Sequence, residues 1–316
     1  MAESLTQVAA RMLQTSLALR PGESLLVVTD PPTREIGEAL FRAGAELGAQ
    51  SVLLVMPPTG RHGAEPHPSV AEAMKRVDVV VCPTAFSLTH TQARLEASRA
   101  GARIATMPEI TTDMFFAGAV AADYEAIAAL TQRVTELLTQ AQEARIVKAG
   151  KELRLSLAGR RGIASTGLLR ERGQSGNLPS GEAYIAPVEG TAGGEMIIDG
   201  SVGGIGRLSE PILVRVENGL LVDAQGAAAA RLLAIQGDSP AARNLGELGI
   251  GTNDKARLSG VVLEDEKVYG TVHIAFGSND TFGGQTKAGV HTDGIILGAD
   301  LYLDDRLVVS GGRVLV

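Results

Sequence analysis

Residues 24–56 read SLLVVTDPPTREIGEALFRAGAELGAQSVLLVM, and this stretch decides the fold of the first half of the chain. Two short runs rich in Val and Leu, at 24–30 and 50–56, flank a segment with a helical pattern at 33–49. Strand, helix and strand in this order form a βαβ unit, which joins parallel strands. Both runs are largely apolar on both faces, which is typical of a parallel sheet covered by helices.

The same alternation continues to about residue 144. A helical pattern at 68–76 and the apolar run VDVVVCP at 77–83 come next. The helix 92–99 and the run ARIATMP at 102–108 follow, and a long helical stripe closes this half at 123–143. We therefore predict a Rossmann-like or flavodoxin-like parallel-sheet domain over residues 1–145.

The pattern changes after Ile146. Short alternating segments such as ELRLSLAG, EMIIDGS and PILVRVENG are separated by Gly, Pro and Asn-Gly turns. We predict a mainly antiparallel β domain over residues 146–316, with a helical insertion at 227–235. Ser239-Pro240 is expected to start a short helix that ends near Gly246, with Glu247 at its exit. Two packed domains with a cleft between them are expected, a usual place for a ligand site.

Composition excludes several classes of protein. The 316 residues carry a formal net charge of −7 and no Lys/Arg run, which argues against a nucleic-acid partner. The single cysteine, Cys82, lies in an apolar run and is expected to be a buried hydrophobic residue. The N-terminal stretch has helical spacing rather than the pattern of a signal peptide, and no segment reaches the roughly 18 apolar residues of a membrane span. We therefore expect no membrane association and a cytoplasmic location.

The segment 264–293, EDEKVYGTVHIAFGSNDTFGGQTKAGVHTD, has the composition of a metal site. On a strand at 271–276, His273 would lie on the face opposite Val272, Ile274 and Phe276. In the sequence 291–293, HTD, the same period of two points His291 and Asp293 in one direction, which suits two ligands of one cation. Thiolates are absent, so the donors would be nitrogen and oxygen, as for Zn, Mn, Co or Fe(II).

Other carboxylates are candidates that the spacing alone does not separate. Glu182, at the start of a strand, would enter a cleft or lie on the surface, and Glu247 stands among small residues. Within the run Glu264, Asp265 and Glu266, spacing does not choose a ligand.

Histidines elsewhere in the chain are less informative. His62 and His67 lie in a Gly/Pro-rich connection and are expected to be solvated loop residues. His90 and Thr91 follow the third parallel strand, where α/β sheets bind ligands beside helix N-termini. We expect His90 and Thr91 to contact a substrate from across the cleft; the alternative is that the Ser and Thr residues beside His90 simply cap the following helix.

The second half of the chain resembles the metal-dependent leucyl aminopeptidases of the aminopeptidase T and aminopeptidase S family. The resemblance is carried by PSGEAYIAP (179–187), GELGIGTN (246–253), TVHIAFG (271–277) and HTD (291–293). It is good from about Asn177 onward and general in the α/β half. It implies two divalent ions, Zn, Co or Mn, a small peptide or amino-acid-derived substrate, and a homodimer. The ligands it implies are Glu182, Glu247, His273, His291 and Asp293, with Glu266 in addition and with Glu182 and Glu247 also catalytic.

Two observations keep other functions open. Asp280 stands where the aminopeptidases have a tyrosine, so a hydrogen-bond donor to the tetrahedral intermediate would be missing. The chain is also similar to 2,5-dihydroxypyridine dioxygenases, in which His273, His291 and Asp293 would form the two-histidine, one-carboxylate triad of a single Fe(II). The third alternative is a metal-binding module without turnover. Glu182, Glu247 and Glu266 would be unnecessary around a single ion, so they favour a centre of two ions and therefore the peptidase.

Overall fold

The computed structural model describes residues 4–316, which form two compact units. The first unit contains the chain up to Glu125 together with Gly167–Ser180, and the second contains Ala126–Thr166 and Gly181–Val316. These bounds differ from a division at residue 145. Segment 126–145 belongs to the second unit, and segment 167–180 returns to the first to complete its sheet.

The helices among the described residues are α1 (Leu5–Thr15), α2 (Arg34–Glu46), α3 (Pro68–Met74), α4 (Gln92–Ala100), α5 (Thr112–Phe116), α6 (Tyr124–Gln140), α7 (Ala229–Gln236), α8 (Pro240–Arg243) and α9 (Val262–Asp265). The strands are β1 (Ser24–Thr29), β2 (Gln50–Val55), β3 (Val79–Thr84), β4 (Arg103–Pro108), β5 (Glu143–Lys148), β6 (Lys151–Ser156), β7 (Ile163–Ser165), β8 (Ser175–Asn177), β9 (Glu182–Ile185), β10 (Gly193–Ile198), β11 (Ser201–Val202), β12 (Gly206–Arg207), β13 (Ile212–Glu217), β14 (Leu220–Gln225), β15 (Leu245–Gly251), β16 (Val272–Gly277), β17 (His291–Ile296), β18 (Asp300–Leu303), β19 (Arg306–Ser310) and β20 (Arg313–Val314).

The first unit is built on a five-stranded parallel sheet of order β2-β1-β3-β4-β8. This confirms the predicted parallel-sheet fold. Strands β1, β3 and β4 are almost wholly buried, but β2 lies at the edge and leaves Val52 and Val55 53% and 43% exposed. Cys82 is fully buried in the core, and burial raises the pKa of its thiol to about 12, so it is a small apolar residue here.

The second unit contains an eight-stranded sheet of order β14-β13-β10-β6-β5-β18-β19-β20 and a seven-stranded sheet of order β12-β11-β17-β16-β15-β9-β7. The ladders in both are antiparallel, which confirms the predicted β-rich half. One apolar core takes side chains from both sheets, for example Ile146 and Met196 from the larger and Leu248 and Ile274 from the smaller. One face of the seven-stranded sheet is therefore occupied by this core.

The environment of Glu247 differs from the prediction. Helices α7 and α8 are present, but α8 ends at Arg243 and β15 begins at Leu245. Glu247 consequently lies inside a strand, not at a helix exit. The run LGELGIG has few of the β-branched and aromatic residues that mark strands, yet it is buried throughout and pairs with β9 and β16. Its pairing overrides its weak strand propensity.

Among residues 4–316, no single helix is both long enough and apolar enough to cross a membrane. The segments Thr112–Ala121 and Tyr124–Gln140, which meet at a bend of 59°, reach the length and apolar composition of a membrane span only when they are taken together.

Candidate metal centre

The candidate site lies on one face of the seven-stranded sheet and is set by the register of four neighbouring strands, β17, β16, β15 and β9. Residues paired across antiparallel strands point to the same face. Gly249 pairs with His273 on one side and Tyr184 on the other. The pairs Glu247 with Ala275, Ala275 with Asp293, Gly277 with His291, and Gly251 with Glu182 place the remaining candidates on that face.

Alternation along each strand gives the other face to the core. Leu248, Ile274 and Ile296 are fully buried there. The prediction that His273 projects away from the apolar trio of its strand therefore agrees with the fold.

Imidazole nitrogens and carboxylate oxygens converge on this face. His273 Nε2 lies 3.4 Å from Glu182 Oε2 and 3.4 Å from Glu247 Oε1. His291 Nε2 lies 3.3 Å from Glu247 Oε2 and 3.4 Å from Asp293 Oδ1. His273 is wholly buried and the three carboxylate side chains nearly so, whereas the His291 side chain is 27% exposed. His291 thus forms the accessible side of the cluster.

The geometry fits a divalent cation. Glu247, His273 and Asp293 offer donor atoms within 4.8 Å of one another, and Glu182, Glu266 and His273 form a second such group. Buried Glu182 Oε2, His273 Nε2 and Asp293 Oδ1 have no hydrogen-bond partner. Buried polar atoms nearly always have one, so several unpartnered donor atoms beside each other fit a cation site. The residues present could hold a metal through nitrogen and oxygen donors.

The three acidic residues at 264–266 have separate roles in the structure. Glu264 accepts a hydrogen bond from the Arg257 backbone N–H. Asp265 accepts from the backbone N–H groups of Ser259 and Gly260 and from the Ser201 hydroxyl, at 2.7, 2.9 and 2.5 Å. Only Glu266 offers a ligand atom to the cluster around His273.

Lys267 is a member of the site that sequence reasoning did not identify. Its side chain is 0% exposed, and its ammonium group lies 2.5 Å from Glu182 Oε1 and also donates to Glu266 Oε1. Burial alone would lower the pKa of Lys267, but the two carboxylates outweigh it and raise the pKa above its ordinary value. The side chain is therefore a buried ammonium ion. A lysine directly after an acidic run was the available sequence signal.

Burial and neighbouring charges shift the pKa values of the site residues in different directions. Burial would raise the pKa of Glu247, but the adjacent imidazoles of His273 and His291 lower it to about 2. Burial would lower the pKa of His273, but Glu247, Glu182 and Asp293 raise it to about 9, and carboxylates raise that of His291 in the same way. Burial, reinforced by Glu182, raises the pKa of Glu266, while the adjacent Lys267 ammonium opposes this shift. Without a cation, the imidazoles are held protonated by the carboxylates around them.

Aromatic rings lie beside the donors. The Phe282 ring makes edge-to-face contacts with Tyr184, at 5.4 Å between centroids, and with His291, at 5.8 Å. Burial raises the pKa of Tyr184, so its phenol stays protonated and available as a donor. Asp280, two residues before Phe282, is exposed. Tyr184 and Phe282 were not predicted as site residues, although Tyr184 lies in the motif 179–187 and Phe282 in the segment 264–293.

His90 and Thr91 lie in the first unit. Thr91 is buried and caps α4: its hydroxyl accepts from the Arg94 N–H and donates to the Leu88 carbonyl. Its place in the structure supports the capping alternative. His90 is exposed, and its predicted substrate contact stays a prediction. His62 and His67 are exposed loop residues; His67 accepts from the Ser69 N–H at the start of α3.

The chain thus combines a parallel-sheet α/β unit with an antiparallel unit whose histidines and carboxylates could hold a metal. The sequence model of the NicX family, 2,5-dihydroxypyridine 5,6-dioxygenase, matches residues 4–316. The chain therefore belongs to this family.

A curated relative has the same description. It is the 2,5-dihydroxypyridine 5,6-dioxygenase of Pseudomonas putida KT2440, 27% identical over 196 residues. The match covers 56% of this chain and 55% of the relative, so the chain spans about half the length of that relative.

Two solved structures share the fold. The 2,5-dihydroxypyridine dioxygenase from P. putida KT2440 has a TM-score of 0.79 and 21% identity, covering 98% of this chain and 96% of that one. AmpT from Thermus thermophilus has a TM-score of 0.73 and 18% identity, covering 99% of each chain. The resemblance to aminopeptidase T thus extends to the fold.

The prediction of a metal-dependent aminopeptidase is wrong, and with it the classification as a hydrolase and protease. The family is that of a dioxygenase, which was the stated alternative. The fold that carries the motifs around Glu182, Glu247, His273 and His291 is shared with both AmpT and the dioxygenase. A shared fold does not define the reaction.

Proposed function

We propose that this protein is a non-haem metal dioxygenase that opens a dihydroxylated, nitrogen-containing aromatic ring. The observation that carries the proposal is the family match over residues 4–316. Because the relative of known description is matched over only about half its length, the substrate is proposed by class rather than by name.

His273, His291 and Asp293 are the residues that we propose to hold the metal. Two imidazoles and one carboxylate are the donor set of non-haem Fe(II) oxygenases. Bound Fe(II) supplies the redox chemistry through which such enzymes react with oxygen. Strands β16 and β17 hold these side chains on a rigid sheet, and Glu247 contacts both imidazoles.

The ring contacts beside the donors suit an aromatic substrate. Phe282 and Tyr184 form an apolar wall next to His291, and offset or edge-to-face contact with such rings favours a planar ligand. The protonated Tyr184 phenol is a hydrogen-bond donor for a substrate oxygen. We propose that these two residues position the ring while the exposed edge of His291 faces it.

Iron-dependent oxygen consumption tests the proposal. Protein purified without added metal is loaded anaerobically with Fe(II) and mixed with 2,5-dihydroxypyridine in an oxygen electrode. We expect one O₂ consumed per ring opened, with both ¹⁸O atoms of labelled O₂ in the product, because both oxygens enter the cleaved ring.

Variants localise the activity. His273→Ala and Asp293→Asn should abolish turnover, whereas His67→Ala, at an exposed helix cap, should keep it. Metal binding without oxygen uptake on any dihydroxypyridine would refute the dioxygenase and support the silent metal-binding module.

Two expectations from the sequence concern the assembly and the number of metal ions. One is the homodimer, which light scattering tests directly. The other is a centre of two Zn, Co or Mn ions, for which the three additional carboxylates were the argument. We propose a single ion instead.

A further inference from the structure

Lys267 lies where a second metal ion would be held. Of the two donor groups that share His273, one consists of Glu182, Glu266 and His273. The Lys267 ammonium contacts carboxylate oxygens of both Glu182 and Glu266. A positive charge from the protein itself therefore already lies between Glu182 and Glu266, whereas Glu247 and Asp293 face the imidazoles of His273 and His291, which are themselves donor groups for a metal.

The backbone brings Lys267 to this place through a glycine. A Cβ at Gly251 would lie 2.0 Å from the Val268 carbonyl oxygen and 2.9 Å from the Lys267 carbonyl carbon. The segment 267–268 thus passes against β15 at a point where no side chain intervenes. Gly251 pairs with Glu182, so this close approach directs Lys267 to that carboxylate.

We propose that Lys267 is a built-in monovalent cation that takes the place of a second metal ion and restricts the centre to one. The inference rests on the proposed function, because it assumes that the remaining donors hold a metal. It gives the surplus carboxylates Glu182 and Glu266 a role around a single ion. Lys267 is a positioning residue in this scheme: it touches neither metal nor substrate but fixes the two carboxylates and excludes a further cation by charge.

Mn(II) binding tests the proposal without any turnover. Chelator-treated protein is titrated with Mn(II), and bound ions per chain are counted by equilibrium dialysis and by electron paramagnetic resonance. We expect one ion in the wild type and two in Lys267→Gln, the second accompanied by the exchange coupling of neighbouring Mn(II) ions. Glutamine removes the charge and retains an NH₂ group as hydrogen-bond donor, on a side chain one bond shorter.

Matched variants complete the test. Lys255→Gln, at a side chain 57% exposed, should bind one ion like the wild type. If Lys267→Gln does not fold after chelation, Lys267→Met refolded in the presence of Mn(II) is counted instead, again with two coupled ions expected. Two ions in the wild type, or one ion in every foldable Lys267 variant, would overturn the proposal.

The outcome is separable from that of the proposed function. Oxygen uptake reports the dioxygenase, whereas the Mn(II) count reports Lys267. A protein that binds one Mn(II), gains a second on Lys267→Gln and consumes no oxygen would retain this inference and lose the other.

Discussion

Gly249 lies directly opposite His273 in the ladder between β15 and β16, and a Cβ built on Gly249 would lie 2.0 Å from His273 Nε2. Real Cβ atoms do not approach a ring nitrogen so closely. The buried imidazole therefore occupies the volume that any side chain at position 249 would need. The glycine on one strand therefore makes room for a proposed metal ligand on the next.

Gly249→Ala should therefore displace His273 and weaken metal binding. Because a first ligand is moved, we expect a loss of at least about 100-fold in Mn(II) affinity, the upper end of what supporting residues cost. Isothermal titration measures it. Gly193→Ala is the matched control: it also lies in a strand, and its nearest neighbour would be 4.0 Å from the new Cβ. Equal affinities of Gly249→Ala and the wild type would contradict the geometry.

Metal binding should release protons at neutral pH. In the chelated protein, the pKa of His273 is about 9 and that of His291 is also raised, so both imidazoles carry protons at pH 7. A metal needs them neutral, so we expect about two protons released per ion. Isothermal titration calorimetry of metal binding, in buffers of different ionisation enthalpy, counts the protons released. Heats that do not depend on the buffer would show that the imidazoles are already neutral.

The same groups predict how the stability of the chelated protein depends on pH. A folded-state pKa raised from 6.5 to about 9 means that His273 stabilises the fold fully below pH 6.5. That contribution is lost as pH rises towards 9. We expect the urea midpoint of the chelated protein to fall between these values. Mn(II)-saturated protein should show a smaller fall, because its imidazoles are deprotonated throughout.

Asp265 and Glu266 should respond differently to neutralisation. The Asp265 carboxylate accepts hydrogen bonds from backbone N–H groups. In Asp265→Asn, the new NH₂ group is itself a donor and cannot accept from them, so we expect a loss of about 1–3 kcal/mol in the free energy of unfolding. Its metal content should stay unchanged. Asp254→Asn, at a side chain 63% exposed, is the control and should change stability by less than about 0.5 kcal/mol.

Glu266→Gln completes this comparison. It removes one of the two carboxylates paired with Lys267, so its effect should appear in metal binding as well as in unfolding. Urea unfolding and Mn(II) titration of the same preparations separate the two. An Asp265 variant that loses metal while Glu266→Gln retains it would reverse the assignment of these neighbours.

Phe282→Leu should raise KM for the aromatic substrate. Loss of aromatic contact is worth about 0.5–1.5 kcal/mol, which corresponds to roughly a 2- to 10-fold rise. Oxygen uptake at varied substrate concentration measures it. Phe116→Leu is the control, since Phe116 is 50% exposed in the first unit. An unchanged KM would remove Phe282 from substrate positioning.

The sequence was sufficient to predict the two types of sheet, because hydrophobic runs and turn residues report directly on strand pairing. The environment of Glu247 was not predictable in the same way. β15 is a central strand composed of small residues, and its position depends on pairing with β9 and β16, which are distant in sequence.

The candidate site shows the same division. His273, His291 and Asp293 were found because their period of two is local. Lys267, Tyr184 and Gly249 were missed as site residues because their roles arise from partners on other segments, such as Glu182 for Lys267 and His273 for Gly249. Local sequence patterns identified the donor residues. The charge that Lys267 places beside Glu182 and the space that Gly249 leaves for His273 depend on how the strands pair.

Strands β9, β15, β16 and β17 each carry apolar side chains on one face and polar donors on the other. Because alternate residues serve these two purposes, donors can be exchanged by mutation without altering the residues that hold the two sheets together. The chemistry of such a protein can therefore diverge while its hydrophobic layer stays constant. A scaffold of this kind is a good starting point for directed evolution of new metal-dependent reactions, provided that Gly249 and Gly251 are left unchanged.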